Sequence, residues 1–288
     1  MLRTSSSDHT AAISTIHNAA MSSDSIPNTI CEIQDAPSSS ASIPLVLIHD
    51  GGGTVFNYWT LGPLHRQMYG ISDPAFESGA EWKGWHGGLK QMAELYCNMV
   101  KKEIGKGKIL LGGKCFFFML SQFVRQLTFH WFSGWSLGGL ISLEMSRIFA
   151  EGGDIVVQGI VMVDTPNFSG VQGQQSIATK DLPQITSSPS PRIRANVLAS
   201  MARSQVLIRG WELPQWGSKK APPTVLIRAT DCVPVPPGSN LKAFVDLTRD
   251  LPKLGWEDYP ALNVKSVLDV RDVNHFNMFS LERVCDQL

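Results

Sequence analysis

The segment Gly134-Trp135-Ser136-Leu137-Gly138-Gly139 constrains the fold more than any other part of this chain. Its G-x-S-x-G pattern is typical of a sharp turn that joins a buried strand to a helix and presents the serine between them. Packing of such a turn against a neighbouring strand leaves no space for side chains at its glycines. A helix is predicted over residues 140–150, where apolar residues recur with helical spacing. The pattern therefore places the hydroxyl of Ser136 at the positive end of a helix, where it can serve as a nucleophile.

Short apolar segments alternate with helical segments along most of the chain. The first of them, at residues 44–48, is fully apolar and is of the kind found in a strand that is buried on both faces. The predicted strands lie at residues 44–48, 67–71, 109–112, 155–157, 159–164, 223–228 and 264–270, a helix is predicted over residues 89–103, and residues 75–88 are predicted to form a loop. The alternation indicates a parallel α/β sheet, whose ligands gather at the carboxyl ends of the strands.

Two segments lack this alternation. Residues 1–43 are rich in Ser, Thr, Asn and Asp and have no sustained apolar period, so we predict a disordered leader before a domain over residues 44–288. Residues 166–221 are rich in Ser, Pro and Gln and interrupt the order of strands and helices. We predict that this second segment is an inserted lid that covers the substrate.

The composition narrows the class of protein. Of the 288 residues 43% are hydrophobic, and 25 basic residues balance 25 acidic ones, which argues against nucleic acid or an anionic membrane surface as the main partner. No apolar run reaches the roughly 18 residues that a membrane span needs. The cysteines show no C-x-x-C spacing, so neither a disulfide framework nor a metal site is expected, and a reducing, cytoplasmic setting is favoured. They are Cys31, Cys97, Cys115, Cys232 and Cys285.

A serine nucleophile needs a base to take its proton and a carboxylate to orient that base. Among the seven histidines, His275 follows the last predicted strand and completes the order Ser, Asp, His expected of α/β-hydrolases. Two aspartates are candidates for the carboxylate that orients His275. Asp164 ends the strand after the Ser136 helix and Asp231 ends the next strand, so spacing alone leaves both open. For the oxyanion that forms in acyl transfer, the amide of Leu137 and one from the turn at residues 51–52 are natural donors.

Together these motifs resemble the thioesterase domains of non-ribosomal peptide and polyketide synthetases, in the version found in fungal secondary-metabolite clusters. The resemblance covers residues 44–284 apart from the lid, and its motifs lie at residues 44–54, 92–96, 109–112, 134–139, 160–164 and 274–276. It implies an α/β-hydrolase fold, with a mostly parallel central sheet flanked by helices and a lid insertion. It also implies a triad of Ser136, Asp164 and His275, with the amides of Gly51 and Leu137 in the oxyanion hole.

The activity that the resemblance implies is hydrolysis or release of an acyl, polyketide or peptidyl chain, through an acyl-serine intermediate, in secondary-metabolite or toxin biosynthesis. In this family the chain is held as a thioester on the phosphopantetheine arm of a carrier protein. The sequence contains no G-x-D-S-L carrier site, so a separate polyketide or peptide synthase is the expected partner, and no cofactor of the protein's own is expected. Two alternatives stay open: a carboxylesterase or lipase that acts on a free ester, and a catalytically impaired homologue.

Residues 113–133 depart from the family pattern. Family sequences run from the strand directly into the turn, whereas here an insertion rich in Phe, Trp and Leu separates residues 109–112 from Gly134. A translated, unspliced intron is one explanation. Codons that contain a splice donor can encode Gly113-Lys114-Cys115, codons that contain an acceptor can encode Ser133-Gly134, and removal of the segment restores the family join in frame. If the insertion is real protein, an apolar loop must find cover.

Overall fold

A seven-stranded sheet forms the centre of the protein. The computed structural model describes residues 28–37, 42–78, 85–113, 137–171, 173–182 and 191–278. Neighbouring strands run parallel, except for the antiparallel edge pair β1 and β3, and their spatial order is β1-β3-β2-β4-β5-β6-β7. The strands are β1 (Ile30–Gln34), β2 (Leu45–Ile48), β3 (Met68–Ile71), β4 (Gly107–Gly113), β5 (Ile155–Val163), β6 (Pro223–Ala229) and β7 (Asn263–Val270). The mostly parallel sheet predicted from the sequence is confirmed.

Helices pack against the central strands and against each other. They are α1 (Ala75–Ser78), α2 (Gly88–Ile104), α3 (Leu137–Gly152) and α4 (Pro191–Arg209), and short 3-10 segments lie at Phe56–Thr60, Ser169–Val171, Thr179–Asp181, Phe244–Asp246 and Trp256–Asp258. α3 packs on β4, β5 and α2, while α1 packs on α4. Because α3 is covered from two sides, its first ten residues are all buried. In the part of the chain that the structure describes, no helix combines the length and the apolar character needed to cross a membrane.

The first strand corrects the predicted leader. β1 pairs with β3 and so belongs to the sheet, and the disorder predicted over residues 1–43 is wrong for this strand. Its sequence carries no long apolar run because an edge strand is only partly buried. Its fit depends on a neighbour without a side chain, since a Cβ on Gly70 would lie 2.6 Å from Cδ1 of Ile33. Residues 1–27 and 38–41 of the predicted leader lie outside the described residues.

Two helices occupy segments without a predicted helix. α1 lies within residues 75–88, which were expected to form a loop, and it is only four residues long. α4 lies within the predicted lid, residues 166–221. The buried positions of α4 include Ser200 and Ser204 as well as apolar residues. Small hydroxyl residues on the packed face weaken the apolar period, which explains why the sequence pattern does not reveal this helix.

The end of β4 lies directly against the start of α3. A Cβ on Gly113 would lie 2.2 Å from the carbonyl carbon of Gly138, and a Cβ on Gly138 would lie 2.7 Å from the carbonyl oxygens of Ile48 and His49. Contacts this close are sterically open only to glycine, which is the reason that we gave for the glycines of the turn. Residues 114–136, which include nearly all of the predicted insertion, lie outside the described residues, but the two flanks of that segment are neighbours in space.

Candidate active site

The carboxyl ends of the parallel strands gather the predicted site residues at one edge of the sheet. β2 leads into His49 and the following glycine turn, β5 leads into Asp164, and β7 leads into the loop that carries His275. The start of α3 lies at the same edge, because Gly138 meets the backbone of His49. The predicted nucleophile Ser136 lies outside the described residues, immediately before α3 in the sequence.

His275 and Asp164 form a buried pair. Nδ1 of His275 lies 2.7 Å from Oδ2 of Asp164, and both residues are fully buried. The backbone of Asp164 has φ 45°, in the left-handed region that aspartate tolerates better than most residues. The pairing directs a proton on Nδ1 at the carboxylate. An imidazole held in this tautomer has Nε2 available as a base.

Asp231, the second acid that the sequence leaves open, lies apart from this pair. Its side chain is exposed, and its Oδ1 accepts a hydrogen bond from the hydroxyl of Thr230 at 3.1 Å. Its amide donates to the carbonyl oxygen of Val273 at 3.0 Å, which joins the loops after β6 and β7. The structure thus places Asp164, and not Asp231, against the imidazole of His275.

A buried arginine holds the other side of the carboxylate. Nη1 of Arg249 lies 2.5 Å from Oδ1 of Asp164, and Nη2 lies 2.7 Å from Oδ2. The amide of Ala229 also donates to Oδ1 of Asp164 at 2.9 Å. Nε of Arg249 donates to Oδ1 of Asp246 at 3.0 Å. Asp164, Arg249 and Asp246 therefore form a hydrogen-bonded chain of charges inside the protein.

These charges keep Asp164 ionised. Burial raises the pKa of Asp164, but the hydrogen bonds from Arg249 and His275 lower it more, and the net effect is a pKa well below that of an ordinary carboxyl group. Burial lowers the pKa of Arg249, whereas Asp164 and Asp246 raise it, so that the pKa of the guanidinium lies above its ordinary value. A permanently charged carboxylate is suited to stabilise an imidazolium beside it.

Asp50 orders the glycine turn after β2. The amide of Gly52 donates to Oδ1 of Asp50 at 2.8 Å, and the amide of Gly53 donates to the Asp50 carbonyl oxygen at 3.0 Å. The amide of Gly51, a predicted oxyanion donor, has no acceptor among the described residues. The other predicted donor, Leu137, is the buried first residue of α3, where helix amides lack a partner within the helix.

His49 fixes this turn to α2. Its Nε2 lies 2.7 Å from the hydroxyl oxygen of Tyr96, and its Nδ1 lies 2.5 Å from the carbonyl oxygen of Asp50. Both rings are buried. Burial, and then the charge of Asp73, raises the pKa of Tyr96 well above its ordinary value, so the phenol stays neutral. The contacts of His49 are those of a residue that supports the turn.

The lid helix α4 lies against the same turn. The hydroxyl of Ser204 donates to the carbonyl oxygen of Gly51 at 3.2 Å. A Cβ on Gly53 would lie 2.7 Å from Oγ of Ser200, one helical turn earlier. Beside them, Nη2 of Arg203 donates to the carbonyl oxygen of Ala75 in α1 at 3.2 Å. A helix of the predicted lid therefore supports the turn that carries the predicted oxyanion donor.

Sequence reasoning missed Arg249 and Asp246. The two residues are three positions apart, a spacing that is typical of an exposed ion pair on a helical turn, and no local pattern marks them as buried. Their burial depends on β5 and β6, which are distant in the sequence. Within the described ranges, no group of His, Cys, Asp and Glu side chains is arranged to hold a metal ion.

Proteins with similar sequences align with most of this chain. The thioesterase frbD of Dothideomycetidae sp. (strain 11243) is 32% identical over 268 residues, which are 90% of this chain and 90% of frbD. The nonribosomal peptide synthetase imqB of Aspergillus flavus is 31% identical over 278 residues, which are 86% of this chain and 7% of the synthetase. No protein-family model matches the sequence.

A solved structure shows the same fold. The NocB thioesterase domain from the nocardicin cluster superposes with a TM-score of 0.59 and covers 89% of this chain and 94% of the domain, at 20% sequence identity. The sheet order, the helices and the superposition agree on the α/β-hydrolase fold. With a thioesterase this similar over nearly its whole length, the chain belongs to the thioesterase family of non-ribosomal peptide and polyketide synthetases.

Proposed function

We propose that this thioesterase releases an acyl, polyketide or peptidyl chain from a carrier protein through an acyl-serine intermediate, with Ser136 as the nucleophile. The observation that carries the proposal is the buried pair of His275 and Asp164, at the sheet edge where α3 begins directly after Ser136 in the sequence. A serine hydroxyl becomes an effective nucleophile only when a base takes its proton.

The proposed reaction has two halves. Oγ of Ser136 attacks the thioester carbonyl while Nε2 of His275 takes the hydroxyl proton, and Asp164 stabilises the imidazolium. The amides of Gly51 and Leu137 donate hydrogen bonds to the tetrahedral oxyanion. The carbon–sulfur bond then breaks, and the imidazolium returns its proton to the departing thiol. In the second half His275 takes a proton from a water molecule that attacks the acyl-serine carbonyl. The ester bond to Oγ then breaks, the imidazolium gives its proton to Oγ of Ser136, and the free acid leaves.

The proposed substrate is a chain carried by a separate polyketide or peptide synthase. A segment of a nonribosomal peptide synthetase matches 86% of this chain, which supports a role on synthetase-bound intermediates of secondary metabolism. Such intermediates are thioesters of a phosphopantetheine arm, so the arm enters as part of the substrate and the thioesterase needs no cofactor of its own.

The test compares the natural sequence with Ser136→Ala on three substrates: an acyl thioester on a carrier protein, the same acyl group on a small thiol, and its free alkyl ester. We expect the natural protein to prefer the carrier thioester and to be labelled by a fluorophosphonate. The Ser136→Ala variant should lose both thioester cleavage and fluorophosphonate labelling. The rate of cleavage should fall by several orders of magnitude, because the residues of a triad act as a unit. Ser218→Ala, an exposed serine in a turn before β6, is the control and should behave like the natural protein.

The outcomes separate the alternatives. Hydrolysis by Ser136→Ala at near-normal rate would remove the nucleophile assignment. A preference for the free ester would identify a carboxylesterase or lipase. A folded natural protein that neither reacts with the fluorophosphonate nor cleaves any of the three substrates would be the catalytically impaired homologue.

A further inference from the structure

The Asp164 carboxylate is fixed at both of its oxygens. Oδ1 accepts hydrogen bonds from the Ala229 amide and from Nη1 of Arg249, and Oδ2 accepts them from Nη2 of Arg249 and Nδ1 of His275. A planar guanidinium that binds both oxygens of a carboxylate sets the plane of that carboxylate. Arg249 is thus the partner that prevents rotation of the group facing His275.

Arg249 is itself held in place from its other side. Its Nε donates to Oδ1 of Asp246, and its Nη1 also donates to the carbonyl oxygen of Ala229 at 2.9 Å. Asp246 is anchored in turn, because its Oδ2 accepts from the amide of Val233 at 2.6 Å. The side chains of Arg249 and Asp246 are 3% and 1% exposed, so the solvent does not screen this chain of contacts.

We propose that Arg249 is a positioning residue of the active site, which orients Asp164 through the two-oxygen contact and sets how strongly that carboxylate holds a proton on His275. The inference rests on the proposed roles of Asp164 and His275. The guanidinium acts in two separable ways. Its two parallel N–H groups fix the orientation of the Asp164 carboxylate, and its positive charge offsets part of the negative charge that this carboxylate presents to the imidazole of His275. Asp246 offsets part of the charge of Arg249, and so it acts on His275 in the opposite sense.

Among the described residues, Arg249 and His275 are charged partners that lower the pKa of Asp164, and Asp164 and Asp246 are charged partners that raise the pKa of Arg249. The loops after β6 and β7 carry further charges close to His275 in the sequence or in space, but these are exposed and therefore screened. They are Asp231, Arg271 and Asp272.

The direction in which each substitution should shift the pKa of His275 follows from the charge that it removes. Arg249→Met removes a positive charge, so the imidazole of His275 should gain its proton at a higher pH, by about one unit or more. Asp246→Asn removes a negative charge and leaves the guanidinium less compensated, so the same group should gain its proton at a lower pH. Arg249→Lys keeps the charge but loses the planar fork. Its pH midpoint should stay near that of the natural protein, while kcat falls on the order of 100-fold through misplacement and KM changes little.

The experiment follows the ring signals of His275 by NMR during a pH titration, with His275→Gln for assignment, and measures the pH profile of kcat/KM for the same proteins. Arg228→Met is the matched control, because Arg228 also binds both oxygens of an aspartate, Asp269, at 2.8 and 2.9 Å, in a partly exposed ion pair between β6 and β7. This control should leave the midpoint of His275 unchanged. If Arg249→Met does not fold, Arg249→Lys and Asp246→Asn decide the question.

Opposite shifts for Arg249→Met and Asp246→Asn support the inference. The inference is wrong if the titration midpoint of His275 is the same in both variants and the natural protein, or if both variants shift it in the same direction. The NMR measurement needs no turnover, so it decides the role of Arg249 even if the carrier thioester is not a substrate. Conversely, if the natural protein cleaves the thioester through Ser136 while the variants show no such shifts of the His275 pKa, the proposed function stands and this inference is wrong.

Discussion

Asp164 is held by β6 from two directions. Its amide donates to the carbonyl oxygen of Ile227 at 2.6 Å, and its carboxylate accepts from the amide of Ala229. A residue in the left-handed region persists only when its surroundings hold it there. Asp231 is exposed and bonded to its neighbour Thr230, so nothing comparable positions its carboxylate.

The prediction at this scale compares Asp164→Asn with Asp231→Asn. The amide cannot hold the imidazole tautomer as a carboxylate does, so Asp164→Asn should lower the rate of acyl-serine formation about ten-thousand-fold, whereas Asp231→Asn should stay close to the natural rate. The rate of fluorophosphonate labelling and single-turnover thioester cleavage measure this step.

A stability measurement must accompany that comparison. Asp164→Asn leaves the buried Arg249 without its strongest partner, and breaking a buried ion pair costs about 3–5 kcal/mol of unfolding free energy. Thermal unfolding followed by circular dichroism shows whether each variant is folded at the assay temperature. A folded Asp231→Asn protein with crippled acylation, beside an active Asp164→Asn, would reverse the assignment of the acid.

At the scale of elements, the predicted lid and the oxyanion turn share a contact. Ser204 and Ser200 lie four residues apart on one face of α4, and both are buried against the glycine turn. Their hydroxyls differ: Ser204 donates to the carbonyl oxygen of Gly51, while Oγ of Ser200 has no partner among the described residues. A movement of α4 therefore changes the support of Gly51, the residue whose amide is the proposed donor.

The two serines provide a matched pair of substitutions. Ser204→Ala leaves the buried carbonyl of Gly51 without its donor, which costs about 1–3 kcal/mol and should lower kcat more than it changes KM. Ser200→Ala removes a hydroxyl that makes no hydrogen bond to the described residues, so the stability and activity of this variant should equal or exceed those of the natural protein. Unfolding temperature and steady-state kinetics of both variants test this. Equal losses in the two variants would contradict a specific role for the Ser204 contact.

At the scale of the whole molecule, the described residues Gly113 and Gly138, on either side of residues 114–136, lie close together in space. β4 ends at Gly113, which pairs with Ile48 of β2 and Met162 of β5, and Gly113 touches Gly138 in the first turn of α3. The flanking elements thus have the spacing of a direct strand-to-helix turn. Removal of residues 113–133 should put Gly134 at the place of Gly113, where a Cβ would lie 2.2 Å from the carbonyl carbon of Gly138.

We therefore predict that a chain joining Gly112 to Gly134 is more soluble, melts at a higher temperature and cleaves thioesters faster than the full sequence. Soluble yield, thermal unfolding and kcat/KM measure this. The matched control deletes residues 114–133 and so keeps both Gly113 and Gly134. Its turn is one residue too long for the tight contact with Gly138, and it should gain less. Sequencing of the transcript tests the intron directly: a mature message that keeps the segment, from an active enzyme weakened by its deletion, contradicts the prediction.

Local sequence determined the elements that have a clear apolar run or apolar period. β2, with four buried apolar residues, was predicted to within one residue, and α2 was predicted over residues 89–103 and is found at Gly88–Ile104. In both, the apolar period directly reflects the packed face. The need for glycine at Gly138 also followed from the sequence, because the tight turn is encoded in one contiguous motif.

Contacts between distant segments decided the rest. Spacing alone left Asp164 and Asp231 open, although the family resemblance implied Asp164, and the pair of His275 and Asp164 spans 111 positions. The hydrogen bond from Arg249 to Asp164 spans 85 positions, and that from Ser204 to Gly51 spans 153. Local patterns report which face of an element is buried, but not which polar groups meet inside the fold. Only the tertiary structure therefore placed an arginine behind the predicted acid and joined the edge strand β1 to the sheet.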